Sequence, residues 1–525
     1  MLKTDRSRSP RSRVTRKKSG GLSVFAVVIL ALSLGACSPP QAKRPVAHGL
    51  EKTPCWFEDP ENLPPHTCYF MNVEETHGHD TGRTVAFPII LFKSTSTVKL
   101  SPVLHLGGGG PGASLALDQE YNVWSIYQQM RSLSLEQGRD LYLMDPRGAG
   151  QAQPLLMCQE FVDNVIPRWQ KNMSLRESYD SGHADFEVCV TDLKQTGLNF
   201  SAFSSETVVA DLEKLRAARG VDQWVLYGAS YASIYAQLYA QYHPERIESM
   251  ILDSATFLDM PRHEVLVREI TEPYRKLFDH CTVTQNCTNL PVQLQDRTEQ
   301  RFWSLISKLD AHPVPVTVLH PDSLEELTVV LTGWRFLDSM LWGVYEETIF
   351  TDFPNILTEL ENGQGRTVRP YVEDILDYLL DESFGDISAA SHYCIDRKPY
   401  IDEAKVREKI DTIPYEYTKN IARLGLEYLD YCEEMNIRTQ GGKLDQPIIT
   451  DVPTLFVHGR LDSVTLLDHV TERLNYFSNG HIVTSSQAHI VLDDPCVLAT
   501  AKQFLISVPT TTTATTATTA KHCTQ

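Results

Sequence analysis

The chain gives a membrane little to span: its apolar run at residues 23–34 is twelve residues long, where a spanning helix needs about 20. None of its 11 cysteines forms a C-x-x-C pair, which excludes the usual structural zinc spacing, and no metal or other cofactor is expected. No Walker lysine follows the glycine-rich stretch at residues 107–112, and that stretch does not read G-x-G-x-x-G. A phosphate cradle and a dinucleotide site are therefore set aside. No internal repeat is visible. Positive charge is also short: 48 Lys and Arg stand against 67 Asp and Glu, a formal net charge of −19. Setting aside residues 1–36, which hold eight bases and one acid, leaves −26. A surface this acidic argues against nucleic acid or an anionic membrane as partner. It tolerates cationic or amine-bearing ligands, and it serves solubility in any case.

What is present begins with an address. The basic residues of 1–22, the apolar run and the small residues after it make the three parts of a secretory signal over residues 1–36. Leu34-Gly35-Ala36-Cys37 resembles the lipobox of bacterial lipoproteins, which implies lipidation of Cys37. Ser38, standing where such proteins can carry Asp, points by the same resemblance to the outer membrane. The expectation is export and a lipid anchor as the sole membrane contact, with residues 37–55 as a tether.

Without Cys37 ten cysteines remain, an even number in a chain bound for an oxidising compartment. They fall into sequence-close couples, and short loop closure favours 55 with 68, 158 with 189, 281 with 287, 394 with 432, and 496 with 523. About 470 residues are then left to fold, ample for a full core. Residues 509–525 are rich in Thr and Ala and read as an unstructured tail.

In between, strands alternate with helices, which predicts a parallel sheet with helices on both faces. Residues 85–92 read as a strand, placed near a sheet edge by Pro88. Residues 102–106 run into Gly107-Gly108-Gly109-Gly110-Pro111-Gly112, whose amides can approach a ligand closely. Residues 140–145 and 246–253 are further strands, with a helix at 207–219. The run Trp224-Val225-Leu226-Tyr227 suits a buried strand; it stops at Gly228, and a helical pattern starts at Tyr231. Between them, Ser230 sits among small neighbours, where a sharp strand-to-helix turn lifts a side chain out of the sheet. A serine hydroxyl is a poor nucleophile, so that turn is useful only with a base and an oxyanion site nearby.

Four motifs in order, Gly109-Gly110-Pro111-Gly112, Asp145-Pro146-Arg147-Gly148, Gly228-Ala229-Ser230-Tyr231 and Pro244-Glu245-Arg246-Ile247, resemble those of the prolyl and tripeptidyl aminopeptidases. The resemblance implies an α/β-hydrolase fold, with a core at residues 56–255 and 446–508 and a large, mainly helical lid inserted at 256–445. Two departures are visible: Ala232 stands where that family usually has Gly, and Gly108 where prolyl aminopeptidases carry His. The second points to the tripeptidyl, secreted branch. Helices are expected at residues 262–280, 292–312, 336–346, 368–381 and 403–411. The lid aromatics Trp303, Trp334, Trp342 and Tyr345 read as lid core. Glu346 and Glu347 are candidates to hold a peptide's free amino end, as lid carboxylates do in proteins the chain resembles. The resemblance also covers Cys394-Ile395-Asp396 and Cys432 at the end of the lid, where it implies a disulfide.

The acid and base come late. A strand at residues 453–459 ends just before Asp462, and the last strand, 481–484, precedes His489. The order Ser230, Asp462, His489 is that of α/β-hydrolases. The family's Gly-His-Gly is replaced here by Ala488-His489-Ile490. His458 and His481 are alternative bases; Asp253, Asp493 and Asp494 are alternative acids. The expected oxyanion donors are the amides of Tyr231 and of Gly109 or Gly110. Together these residues predict a serine hydrolase that removes short peptides from a free N-terminus through an acyl-enzyme. A carboxylic-ester hydrolase and a surface binding lipoprotein with weakened turnover stay open as alternatives.

Overall fold

A computed structural model describes residues 49–57, 63–260, 262–283, 297–427, 430–437, 444–508 and 520–523. Cys37 and Cys287, and with Cys287 the expected 281–287 couple, lie outside the described residues. Ten strands form one sheet in the order β1-β2-β3-β5-β4-β6-β7-β10-β11-β12. They are β1 (Gly49–Thr53), β2 (His66–Thr76), β3 (His79–Phe92), β4 (Val103–Leu106), β5 (Leu141–Met144), β6 (Trp224–Ala229), β7 (Ile247–Asp253), β10 (Thr454–Gly459), β11 (Gly480–Ser485) and β12 (Ala520–His522). From β1 to β5 neighbours run antiparallel; from β5 onward every pair is parallel. Strands β4, β5, β6 and β10 are buried along their whole length. That is why they read as unbroken apolar runs and not as alternating ones.

The remaining chain supplies crossovers and a second layer. Helices α1 (Glu120–Met130), α2 (Gln159–Trp169), α3 (Leu175–Gln195), α4 (Ser205–Arg219) and α5 (Ala232–Tyr242) join the first strands. Helix α4 starts at a capping box between Ser204 and Thr207 and stops at Gly220, whose φ of 62° supplies the left-handed cap. After β7 come α6 (Arg262–Val283), α7 (Thr298–Ala311), α8 (Gly333–Gly343), α9 (Thr348–Glu361), α10 (Arg369–Leu379), α11 (Asp386–His392), α12 (Glu403–Asp411), α13 (Glu416–Glu427) and α14 (Tyr431–Glu434). Helices α6 to α10 pack, together with α2, around Phe302, Phe336, Phe353 and Ile375; Val406, Ile410, Ala422 and Leu426 of α12 and α13 form a smaller cluster, and Ile387 of α11 and Tyr431 of α14 join the core of the main sheet. A hairpin of β8 (Val314–Leu319) and β9 (Glu326–Leu331) interrupts this helical stretch as a separate two-stranded sheet. Among the described residues no helix is long and apolar enough to cross a membrane.

Two expectations need correction. Strand β3 is third from the sheet edge despite Pro88. Its ladder with β5 begins at Ile89, and Ala86 pairs with Gln153, so the missing N–H falls in a gap between pairings. Strand β11 is not the last one. Residues 520–522 add β12 to its far side, and Cys523, bonded to Cys496, fixes them there. Residues 509–519 lie outside the described part. Couples 55–68, 158–189 and 394–432 are also joined.

Strand β10 ends where two loops converge. A Cβ built on Gly459 would lie 1.8 Å from the Ala488 carbonyl oxygen, that is, inside backbone that cannot swing away. Gly459→Ala should therefore cost about 2–4 kcal/mol. Gly425, in helix α13 with nothing within 4 Å of its Cβ position, should gain about 0.4–1 kcal/mol as alanine. Denaturant melts of the two variants check the contrast, and equal effects would contradict it.

Candidate active site

The glycine loop, Ser230, Asp462 and His489 follow the carboxyl ends of β4, β6, β10 and β11, where open α/β sheets place their sites. Ser230 follows β6 directly, with φ at 51°, a conformation that costs a non-glycine residue of order 1–3 kcal/mol. Its N–H donates to the Asp253 carbonyl at 2.8 Å, and its own carbonyl accepts from the Ser233 N–H and hydroxyl at 3.0 and 2.6 Å. Gly228 allows the turn, because a Cβ there would meet the Ala232 carbonyl at 2.8 Å. Helix α5 begins at Ala232, so the Tyr231 N–H belongs to the first turn, whose amides have no acceptor within the helix.

The glycine loop after β4 lies against this turn. A Cβ on Gly108 would sit 2.6 Å from the Ala229 carbonyl oxygen, one residue before the serine. The His that prolyl aminopeptidases carry would not fit in this backbone. Gly109 and Gly110 both take positive φ, 98° and 104°, which turns their amides in a direction other residues rarely allow.

Past β10, Asp462 is fully buried and completely bonded. Its Oδ1 accepts from the Val464 and Thr465 N–H groups, both at 2.9 Å. Its Oδ2 accepts from the Thr465 hydroxyl at 2.7 Å and from His489 Nδ1 at 2.9 Å. Burial alone would raise this carboxyl, but the charge and hydrogen bond of His489, then His458 and Thr465, hold it well below the usual carboxylate range. An ionised Asp462 keeps the proton on Nδ1, which leaves Nε2 of His489 as the basic nitrogen. The Lys276 ammonium, from α6, donates to the Asp462 carbonyl oxygen.

The histidine loop is fixed separately. Ile490 takes a φ of 61°, unusual for a β-branched residue. Its N–H donates to Ser254 Oγ at 3.0 Å, and the next two amides, Val491 and Leu492, donate to the Asp253 carboxylate. Asp253, the conceivable alternative acid, thus bonds backbone and the Tyr227 hydroxyl, not the His489 ring. Asp494 caps the last long helix, α16 (Pro495–Ser507), which follows the short α15 (Leu467–Arg473), through the Cys496 and Val497 N–H groups, and Asp493 is exposed. His458 is buried on β10, its Nε2 2.8 Å from the Thr465 carbonyl and 3.6 Å from Asp462. His481 packs on Phe504.

Three contributors carry no motif. Thr465 is one, foreshadowed only by its spacing of three from Asp462; Lys276 is another. The third is Tyr345, which reads as lid core. Its ring meets His489 edge-on at 5.0 Å, and its carbonyl accepts the His489 N–H at 3.4 Å. Trp342 stacks on Tyr345 and Tyr378, so an aromatic wall runs from the lid to the histidine. Trp303 and Trp334 pack elsewhere, on Tyr415 and Arg335. Glu346 and Glu347 are exposed beyond Tyr345.

Comparison with known proteins adds four findings. The alpha/beta hydrolase fold model matches residues 102–278. Serine protease Hip1 of Mycobacterium tuberculosis is 30% identical over 381 residues, 68% of either chain. The putative hydrolase YuaR of Escherichia coli is 26% identical over 304 residues, 53% of this chain and 55% of its own. Among solved structures, the proline iminopeptidase of Mycobacterium smegmatis aligns over 84% of this chain and 98% of its own, at 10% identity and a TM-score of 0.37.

The Asp462 pair sets a sign for pH. Its folded-state carboxyl lies below the ordinary value of 3.8, so its contribution to stability is present above 3.8 and is lost as pH falls through the folded value. Unfolding free energy measured from pH 2 to 6 should rise less steeply for Asp462→Asn than for the wild type. Thr465→Val, which removes one bond to Oδ2 but keeps the shape, should lower kcat/KM by roughly 10-fold and leave the melting temperature within a few degrees.

Proposed function

We propose, for a chain that belongs to the α/β-hydrolase family, a serine hydrolase acting on short peptides from their free N-terminus. The observation that carries it is the bond from His489 Nδ1 to a buried, fully bonded Asp462, on the same sheet end as the strained Ser230. His489 Nε2 takes the Ser230 proton as Oγ attacks the carbonyl carbon. The resulting oxyanion is held by the Tyr231 N–H and the Gly109 or Gly110 amide. Collapse expels the amine, which His489 protonates, and water then attacks the acyl-enzyme with the same base. Asp462 keeps the imidazole in the required tautomer throughout.

The peptide reading draws on the serine protease relative and on charge. Asp386, Asp381 and Asp338 act electrostatically on Tyr378, and Asp462 and Glu269 on Tyr345, so the aromatic wall beside His489 stands in a negative field. Burial pushes the Asp338 carboxyl up to about 7, and a substrate ammonium beside it would favour its ionised form. Free-amine peptide anilides should be cleaved, and N-acetylated ones much less. Asp338→Asn should raise KM for the former by roughly 5- to 20-fold with little effect on a short ester. Ser230→Ala should abolish all turnover. Cleavage of esters alone would leave an esterase, and full activity in Ser230→Ala would remove the triad.

Four disulfides among the described residues suit an exported protein. We place it on the membrane by a lipid on Cys37. Radiolabelled palmitate should enter the wild-type chain in bacterial culture, and Cys37→Ala should abolish that incorporation; equal labelling of both would refute the anchor.

A further inference from the structure

Behind the oxyanion residue lies a buried carboxylate that the proposed chemistry does not use. Asp396 is 1% exposed and sits in the single wide turn Tyr393–Arg397 that follows α11. Its Oδ2 accepts from the Ser205 N–H at 3.0 Å and the Ser205 hydroxyl at 2.7 Å, at the first residue of α4. It also accepts from the Tyr231 hydroxyl at 3.4 Å, and that hydroxyl lies 3.3 Å from Ser205 Oγ. The other oxygen, Oδ1, is buried and has no partner among the described residues. The Arg397 guanidinium lies over the Tyr231 ring at 5.7 Å. Tyr235 meets the same ring edge-on at 5.6 Å. Two residues before Asp396, Cys394 is joined to Cys432 of α14.

Ser230 is strained, and strain of 1–3 kcal/mol persists only where the surroundings hold it from more than one side. On the sheet side the Ser230 N–H is held by the Asp253 carbonyl. On the lid side the Tyr231 ring, next to the serine, is held by Asp396, Arg397 and His392. An oxyanion donor acts through its direction, so a turn free to relax would carry the Tyr231 N–H off line.

We propose that Asp396 is a positioning residue for the oxyanion hole, holding the Tyr231 side chain so that its backbone N–H points at the developing charge. This rests on the serine-hydrolase reading and adds to it a component from the end of the lid. The 394–432 disulfide, by fixing the turn that bears Asp396, belongs to the same device.

The test uses the full-length chain with Asp396→Ala, Asp396→Asn and Tyr231→Phe, each rate divided by the fraction of Ser230 that an organophosphonate labels. Asp396→Ala should lower kcat per labelled site roughly 10- to 30-fold, less than the roughly 100-fold that follows loss of a whole donor, with KM within about twofold. Affinity for a peptide boronic acid, whose adduct is tetrahedral, should fall by the same factor as kcat/KM. Asp396→Asn should recover to within about threefold, since its amide oxygen can accept from Ser205. A merely structural role would reduce the labelled fraction and leave kcat per site and boronate affinity alone; that result overturns the proposal. If Asp396→Ala does not fold, Tyr231→Phe decides. Loss of kcat and boronate affinity together supports the proposal, and wild-type values of both overturn it. A wild-type chain that turns over substrate without labelling at Ser230 would overturn the underlying reading and this one with it, an outcome distinct from a labelled enzyme indifferent to Asp396.

Discussion

The site is tied together by one carboxylate that never faces the cleft. The Asp253 main-chain carbonyl takes the Ser230 N–H, while its side chain takes the Val491 and Leu492 amides and the Tyr227 hydroxyl. Three residues with positive φ surround it: Ser230, Ser254 and Ile490, at 51°, 51° and 61°. Each belongs to a different segment, and none would keep that conformation alone. Asp253 joins the serine turn to the histidine loop, and Ser254 Oγ joins the same loop at Ile490. The elbow and the histidine are therefore one connected strained unit, not two motifs that happen to meet.

Asp253 ends β7 and Asp462 follows the adjacent β10, both wholly buried, yet their carboxyls move in opposite directions. For Asp253 burial dominates and lifts it to about 6, against the amides, Tyr227 and the charge of His489. For Asp462 the same burial is overcome by a histidine ring in direct contact. The sign of linkage differs accordingly. The Asp253 contribution is complete below 3.8 and lost as pH rises through about 6, whereas that of Asp462 appears as pH rises. Holding Asp253 ionised at neutral pH costs stability, and the hydrogen bonds to the histidine loop are what that cost secures.

Much of this was legible in the sequence because buried parallel strands advertise themselves. The Trp224 and Thr454 strands are continuous apolar runs ended by glycine, and the polar residues just beyond such runs had to lie at the carboxyl edge of the sheet. That ground placed Ser230 at the sheet edge, and the order Ser230, Asp462, His489, which is that of α/β-hydrolases, singled out the other two candidates. What resisted reading depends on contacts far apart in the chain. Strand β12 has three residues and is held by a disulfide to α16. Pro88 looked like an edge signal because the gap it occupies is created by Gln153, 65 residues later. Asp253 and Asp462 could not be separated by position, since only atomic partners tell the acid from the brace.

The lid is where sequence reasoning was weakest, and its contacts explain why. Residues of the 256–445 insertion reach several parts of the candidate site. The Lys276 ammonium reaches the Asp462 carbonyl, Tyr345 borders the His489 ring, and Gly385 donates to the Gly112 carbonyl in the glycine loop. At its end, Asp396 reaches the hydroxyl of Tyr231. Asp462, His489, the glycine loop and the Ser230 turn are all reached from this insertion, by residues that include Lys276, Tyr345, Gly385 and Asp396, scattered over more than 100 positions with no shared spacing. A pattern search cannot find such a set, because the chemistry resides in the fold of the insertion and not in any motif. The physical consequence is that selection and turnover share parts. On the reading proposed above, a side chain changed at Tyr345 to suit a different substrate also moves the ring that borders His489, so KM and kcat are coupled there, whereas Asp396, which meets the Tyr231 hydroxyl behind the turn, acts on kcat alone.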